Sequence, residues 1–205
     1  MFSRRKITAG LIVIVCSFAV SSIAEKPEET SAEAEMVTKS MELSKPGPEH
    51  KRLEKLEGTW DQEVRIWMQP DAEPMTFEGR SSNALILGGR FLQIEGVSGE
   101  GPMQTEAVIV MGFDRRYERY TAVGFDNWGT YYVAAKGSYV DSANKIVMQG
   151  EDYDPVLTNW QHYRFELTYV NPDEYLWETF FTDEAHTKGK TDEFKMVEIT
   201  CTRAD

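Results

Sequence analysis

From Thr59 onward, apolar and polar residues alternate with a period of two. Trp60, Gln62, Val64, Ile66 and Met68 fall on one face, and Thr59, Asp61, Glu63, Arg65 and Trp67 on the other. The first face is mostly apolar and is assigned inward, which turns Trp67 outward. Just upstream the period changes. Leu53 and Leu56 are three apart, on one face of a helical turn, and Pro46 and Pro48 stop a helix from running in from the N-terminal side. Gly58 can take the left-handed conformation that ends a helix. The pattern predicts a short plug helix feeding through Gly58 into a long strand.

After Met68 the chain reads as strands separated by compact turn signals. The predicted strands are Met75–Leu87, Arg90–Val97, Gln104–Phe113, Tyr117–Phe125, Thr130–Val140, Lys145–Tyr153, Asn159–Val170, Glu174–Thr182 and Phe194–Arg203, with Asp183–Gly189 as a polar loop. With the first strand this makes about ten, at spacings that indicate an antiparallel meander. Closure into a barrel would remove exposed edges. A β-sandwich is the alternative, and the plug helix favours the barrel. The predicted class is therefore all-β: a single antiparallel barrel of about ten strands.

Upstream of the barrel, Met1–Ala24 has the parts of a signal peptide. Arg4, Arg5 and Lys6 form a basic start, Ala9–Val20 an apolar core, and Ser22-Ile23-Ala24 a small-x-small cleavage site. The apolar run is short for a membrane-spanning helix, which needs ~20 residues, so no span is expected after cleavage. Cys16 follows Val15, where lipoprotein processing wants a small residue; a lipid or retained anchor is the alternative. Residues 25–45 read as a polar linker with a helix over Ala32–Leu43, and residues 46–203 as one barrel domain. Cleavage removes three basic residues and no acidic ones, taking the net charge from −12 to −15. Such acidity argues against nucleic acid or an anionic membrane as partner. Cys201 would then be the only cysteine, so no internal disulfide is expected; its place in the last strand reads as a small packed residue.

Four stretches carry a family resemblance: PGPEHKRLEKLEGTW at Pro46–Trp60, LGGRFLQ at Leu87–Gln93, GFD at Gly112–Asp114 and EFKMVEIT at Glu193–Thr200. Together they resemble the domain of unknown function 1579 family over about Pro46 to Arg203. The resemblance implies a lipocalin-like, calycin-type barrel with no settled activity. Calycin barrels often stack an arginine of the last strand on the Gly-x-Trp tryptophan. By that likeness Arg203 would lie over Trp60 as a cation–π pair closing the barrel floor, a structural role.

Five Trp, nine Tyr and ten Phe supply more aromatic bulk than one plug and floor require. A barrel of this size either fills with side chains or holds one small ligand. The first expectation is a non-enzymatic carrier of a small apolar or amphipathic molecule. Its wall would be Ile66, Met68, Trp128, Phe165 and Trp177, with Arg90 as a polar group at the mouth. The second is an enzyme or stress-response factor using Arg90, His162 and Glu178 at the mouth; the third is a structural envelope protein with a filled barrel. His162, Arg164 and Glu166 share a strand face, which is either a solvated outer row or an inward polar constellation. Tyr163, Phe165 and Leu167 claim the core, so outward is expected. The three histidines, His50, His162 and His186, show no ligand spacing, and no zinc site is expected. Some lipocalin-like barrels bind haem through one histidine, for which His162 and His186 are the candidates; the expectation is no cofactor. Asp152 and Asp154 read as a turn in preference to a calcium site. No Gly-x-Ser-x-Gly elbow, P-loop or dinucleotide fingerprint occurs.

Overall fold

The computed structural model describes residues 31–205; the expected signal peptide, Cys16 and the start of the linker lie outside them. Two helices, α1 (Ser31–Leu43) and α2 (His50–Glu54), precede the sheet. The first five strands are β1 (Gly58–Ile66), β2 (Met75–Ile86), β3 (Phe91–Ser98), β4 (Thr105–Asp114) and β5 (Arg119–Asp126). The rest are β6 (Val133–Val140), β7 (Lys145–Asp154), β8 (Asn159–Asn171), β9 (Glu174–Phe181) and β10 (Phe194–Arg203), with a short α3 (Glu184–Thr187) before the last. Each strand pairs antiparallel with its chain neighbour, and β1 closes on β10 with Trp60 opposite Arg203. The ten alternating segments thus form one closed barrel, and the sandwich alternative falls.

The alternation stops where turn chemistry takes over. β1 ends at Ile66, and the Trp67 N–H makes a last ladder bond to the Met196 carbonyl at 2.9 Å. Met68, expected inward, lies beyond that point and is 72 % exposed, so parity no longer governs it. The predicted polar loop after β9 contains α3, because the Asp183 side chain caps it by accepting the His186 N–H.

One end of the barrel is plugged. Leu53 of α2 and Leu56 just after it are buried in one cluster with Trp60, and with Leu92, Met111, Tyr120, Ile146, Met148, Leu167, Tyr175 and Cys201 they fill that half. Burial pushes the Cys201 thiol up to about 11, so it stays protonated and packed. Gly58 sits at φ +127°, and a Cβ there would come 2.7 Å from an Arg203 guanidinium nitrogen, so the first residue of Gly-x-Trp serves both backbone and packing. Among the described residues, the contacts that fasten α1 are at its C-terminal end. Arg115 donates to the Glu42 and Lys45 carbonyls and Arg90 to the Ser44 carbonyl, while Met36, Val37 and Met41 face solvent.

The α1–α2 connection turns on His50. Its Nδ1 accepts the Gly47 N–H at 2.9 Å, its ring lies edge-on to Phe113, and it is buried. Burial lowers its pKa from the ordinary 6.5; Arg115 and Arg90 add to this, and Glu49 opposes it. The unfolded chain therefore takes a proton more readily than the folded one. The contribution is full above about 6.5, the unfolded value, and is lost as pH falls from there through the folded value. Protonation removes the Gly47 bond, worth about 1 kcal/mol. Asparagine can present an oxygen near the Nδ1 position without titrating, so His50→Asn is expected to flatten the fall in melting temperature between pH 7 and pH 5. Parallel curves for the two proteins would rule His50 out as the source.

Candidate functional site

The other end of the barrel is hollow. A cavity of about 280 Å³ opens there, bounded by β4 to β10. The β4–β5 side contributes little volume: Ala107, Ala122 and Gly124 face inward. The opposite wall is aromatic. Phe165 and Trp177 lie 5.6 Å apart between ring centroids, Tyr163 and Phe165 5.3 Å, and Tyr163 meets Phe181 edge-on. Small residues facing large rings leave the space that the plugged half lacks.

Polar groups lie at the rim of this cavity: Asp126 at the end of β5, Asp152 near the end of β7 and Gln161 near the start of β8. Burial raises the Asp152 carboxyl above its ordinary value, and the nearby Asp154 charge adds to this. Asp154 itself is spent on the turn, accepting the Val156 and Leu157 N–H groups and the Gln161 amide. The Tyr163 hydroxyl donates to the Ala134 carbonyl, and burial, reinforced by Asp152, pushes its pKa up to about 12. α3 leans over one side: the His186 ring stacks on Phe181 at 3.9 Å, and its Nδ1 is 2.8 Å from Asp183. Outside the opening, Phe125, Trp128, Tyr131, Tyr132, Tyr153 and Trp160 present exposed aromatic surface.

Of the residues singled out from sequence, the structure places Phe165 and Trp177 on the cavity wall. Ile66 is half-buried at the end of β1, away from that wall. Trp128, expected inward, is 57 % exposed: Asp126 accepts its N–H in the turn after β5, and its indole donates to Thr105 Oγ1 at 2.8 Å. Arg90, expected at the mouth, sits at the plugged end, where it donates to the Ser44 and Leu87 carbonyls. The trio Arg90, His162 and Glu178 is not brought together. His162 faces outward beside Glu151 at 3.3 Å, Glu178 takes Lys195 at 3.2 Å, and Arg164 binds Glu166 and Glu193 on the same outer surface. Trp67 is outward, with the Lys195 ammonium 5.4 Å over its ring. Tyr163 and Phe181 could have been found from sequence, since they share parity with Phe165 and Trp177 on their strands. Asp152 was masked by its reading as a turn residue. Among the described residues no group of three His, Cys, Asp or Glu side chains converges on a metal position.

The barrel floor is a knot around Trp60. Its indole donates to the Leu56 carbonyl, its ring meets Tyr175 edge-on at 4.7 Å, and the Arg203 guanidinium lies 4.2 Å over it. Arg203 also donates to the Lys55 and Glu57 carbonyls of the plug, to the Pro172 carbonyl and to Asp173, so one side chain ties α2 to the β8–β9 turn.

The sequence pattern of a family described as protein of unknown function (DUF1579) matches residues 45–203. No curated protein matches the chain by sequence. Among solved structures, Rv2717c from M. tuberculosis is similar at 12 % identity and a TM-score of 0.54, covering 78 % of this chain and 100 % of its own. The S-type phycobiliprotein lyase CPES from Guillardia theta is similar at 8 % identity and a TM-score of 0.54, covering 81 % of this chain and 97 % of its own. At these identities the likeness is one of fold.

Proposed function

We propose that this chain, which belongs to the DUF1579 family of proteins of unknown function, is an exported carrier that holds a small apolar or amphipathic molecule in its barrel. The observation that carries the reading is the division of the interior: one half is plugged and close-packed, and the other encloses about 280 Å³ under an aromatic wall. A hollow this large lined by rings loses packing energy unless something fills it, and concave, mostly apolar sites are where small ligands bind. Export rests on the composition of Met1–Ala24. Among the described residues no helix is long and apolar enough to cross a membrane.

Native mass spectrometry of the full-length gene product, purified without refolding, tests both halves of this reading. The expected species is the chain from Glu25 carrying an adduct that organic extraction removes. The extracted protein should then take up N-phenyl-1-naphthylamine with a rise in fluorescence. Gly124 provides the control. Its side-chain position is open, with only Ile109 Cγ1 at 3.7 Å from an added Cβ, so Gly124→Leu fills the hollow. Probe affinity is expected to fall at least ~10-fold while the melting temperature holds or rises. A protein that takes no probe, or takes it equally well with Leu at 124, has no ligand site in this cavity; a mature chain retaining residues 1–24 rules out cleaved export.

A further inference from the structure

We propose that the molecule this cavity accepts is a cationic amphiphile, an organic ammonium on an apolar body; the inference rests on the carrier reading above. It comes from the charges at the opening. Asp126 and Asp152 both line the cavity, and among the described residues no Lys, Arg or His does. On the outer surface Glu166, Glu178 and Glu198 are matched: Glu166 takes Lys145 and Arg164, and Glu178 and Glu198 take Lys195. The cavity carboxylates are not. Asp126 accepts only the Trp128 N–H, and Asp152 makes no hydrogen bond or ion pair with any described residue.

Asp152 is half-buried beside the apolar wall, where a carboxylate without a counter-charge is costly; Asp126 is exposed at the rim and adds its negative charge to the opening. A cation at the rim offsets that cost, whereas a fatty-acid carboxylate would add to it. The surrounding surface suits the same head group. Tyr131 and Phe125 line the opening, and aromatic rings are the kind of surface that attracts ammonium groups. Below the rim, Ile109, Phe165, Trp177, Phe181 and Met196 make a mostly apolar wall with Thr179 among them, which fits a hydrocarbon or aromatic tail. A bare divalent cation fits less well, because calcium wants six or more oxygen ligands and the wall beneath the rim has few to give. The net charge of −12 draws cations toward the molecule as a whole.

Decylamine and 1-decanol have the same chain and differ in the head group, and decanoate supplies the opposite charge. Tryptophan fluorescence titration of the extracted protein with each is expected to rank them amine, alcohol, acid. The amine should bind about 10-fold tighter than the alcohol, the scale of one charge-assisted contact. Asp126→Asn combined with Asp152→Asn should bring decylamine down to the decanol level. The wild-type amine preference should also shrink as salt rises to about 1 M, a readout that does not depend on the variant folding. Equal binding of amine and alcohol, or tighter binding of decanoate, overturns the cationic assignment and leaves the carrier standing. If none of the three binds and N-phenyl-1-naphthylamine also fails, the carrier reading itself falls.

Discussion

Trp60→Ala is expected to cost about 3–5 kcal/mol of folding stability, the range for removing a large buried aromatic. Trp60 is 1 % exposed and stands between the plug, Tyr175 and Arg203. Its loss leaves a hole at the junction of α2 and the barrel, and it removes the surface on which Arg203 rests. The indole hydrogen bond is the smaller part, because the Leu56 carbonyl also accepts from Asn83 Nδ2 at 2.9 Å and stays satisfied without Trp60. Trp60→Phe, which keeps most of the ring volume, should therefore cost only about 1–2 kcal/mol. Urea unfolding of the three proteins separates the contributions. If alanine came within about 1 kcal/mol of wild type, the floor would not be what holds the closed end together.

The second large effect is expected at Gly137. A Cβ there would lie 2.7 Å from the Met148 Cα and would overlap the Val147 carbonyl oxygen. The obstacle is backbone on the paired strand, which cannot rotate away as a side chain would. β6 is also the least firmly held strand. It pairs with β5 over Val133–Gly137 and with β7 over Lys136–Val140, the shortest ladders in the barrel. Pushing β6 from β7 at Gly137 strikes where the two ladders overlap. Gly137→Ala should cost about 1–3 kcal/mol and speed amide exchange in β6 before the other strands. Exchange that rises uniformly, or a melting temperature unchanged from wild type, would show that the pair has room to relax.

The candidate site was legible in part. Phe165 and Trp177 follow from strand parity, and the same parity places Tyr163 and Phe181 beside them. Parity could not say where a strand ends. Met68 was placed by extending the alternation past Ile66, where a last ladder bond brings it to a stop; Trp128, between two predicted strands, was expected inward as an aromatic residue, and the side-chain-capped turn after β5 directs it out. Arg90 was assigned to the mouth because a Gly-Gly-Arg turn looks alike at either end of a barrel. Only the closed sheet distinguishes the ends: β2 runs back to the plug, so the β2–β3 turn lies beside α2. The acidic rim went unread because Asp152 and Asp154 sit in a stretch where turn and inward strand give the same local pattern.

By itself the sequence determined a run of about ten strands, the faces that β1 and β8 turn to the core, the plug before the first strand and the glycine that joins them. All of these follow from a period of two or three to four residues and from the backbone freedom of one position, which are local properties of the chain. Tertiary structure alone decided that one half is solid and the other hollow, and that two carboxylates stand unpaired at the opening. A cavity is a shortfall of volume among side chains from distant strands: Ala107, Ala122 and Gly124 on one wall against Tyr163, Phe165, Trp177 and Phe181 on the other. No local pattern encodes that shortfall, because it exists only once the register of the closed barrel sets those residues face to face.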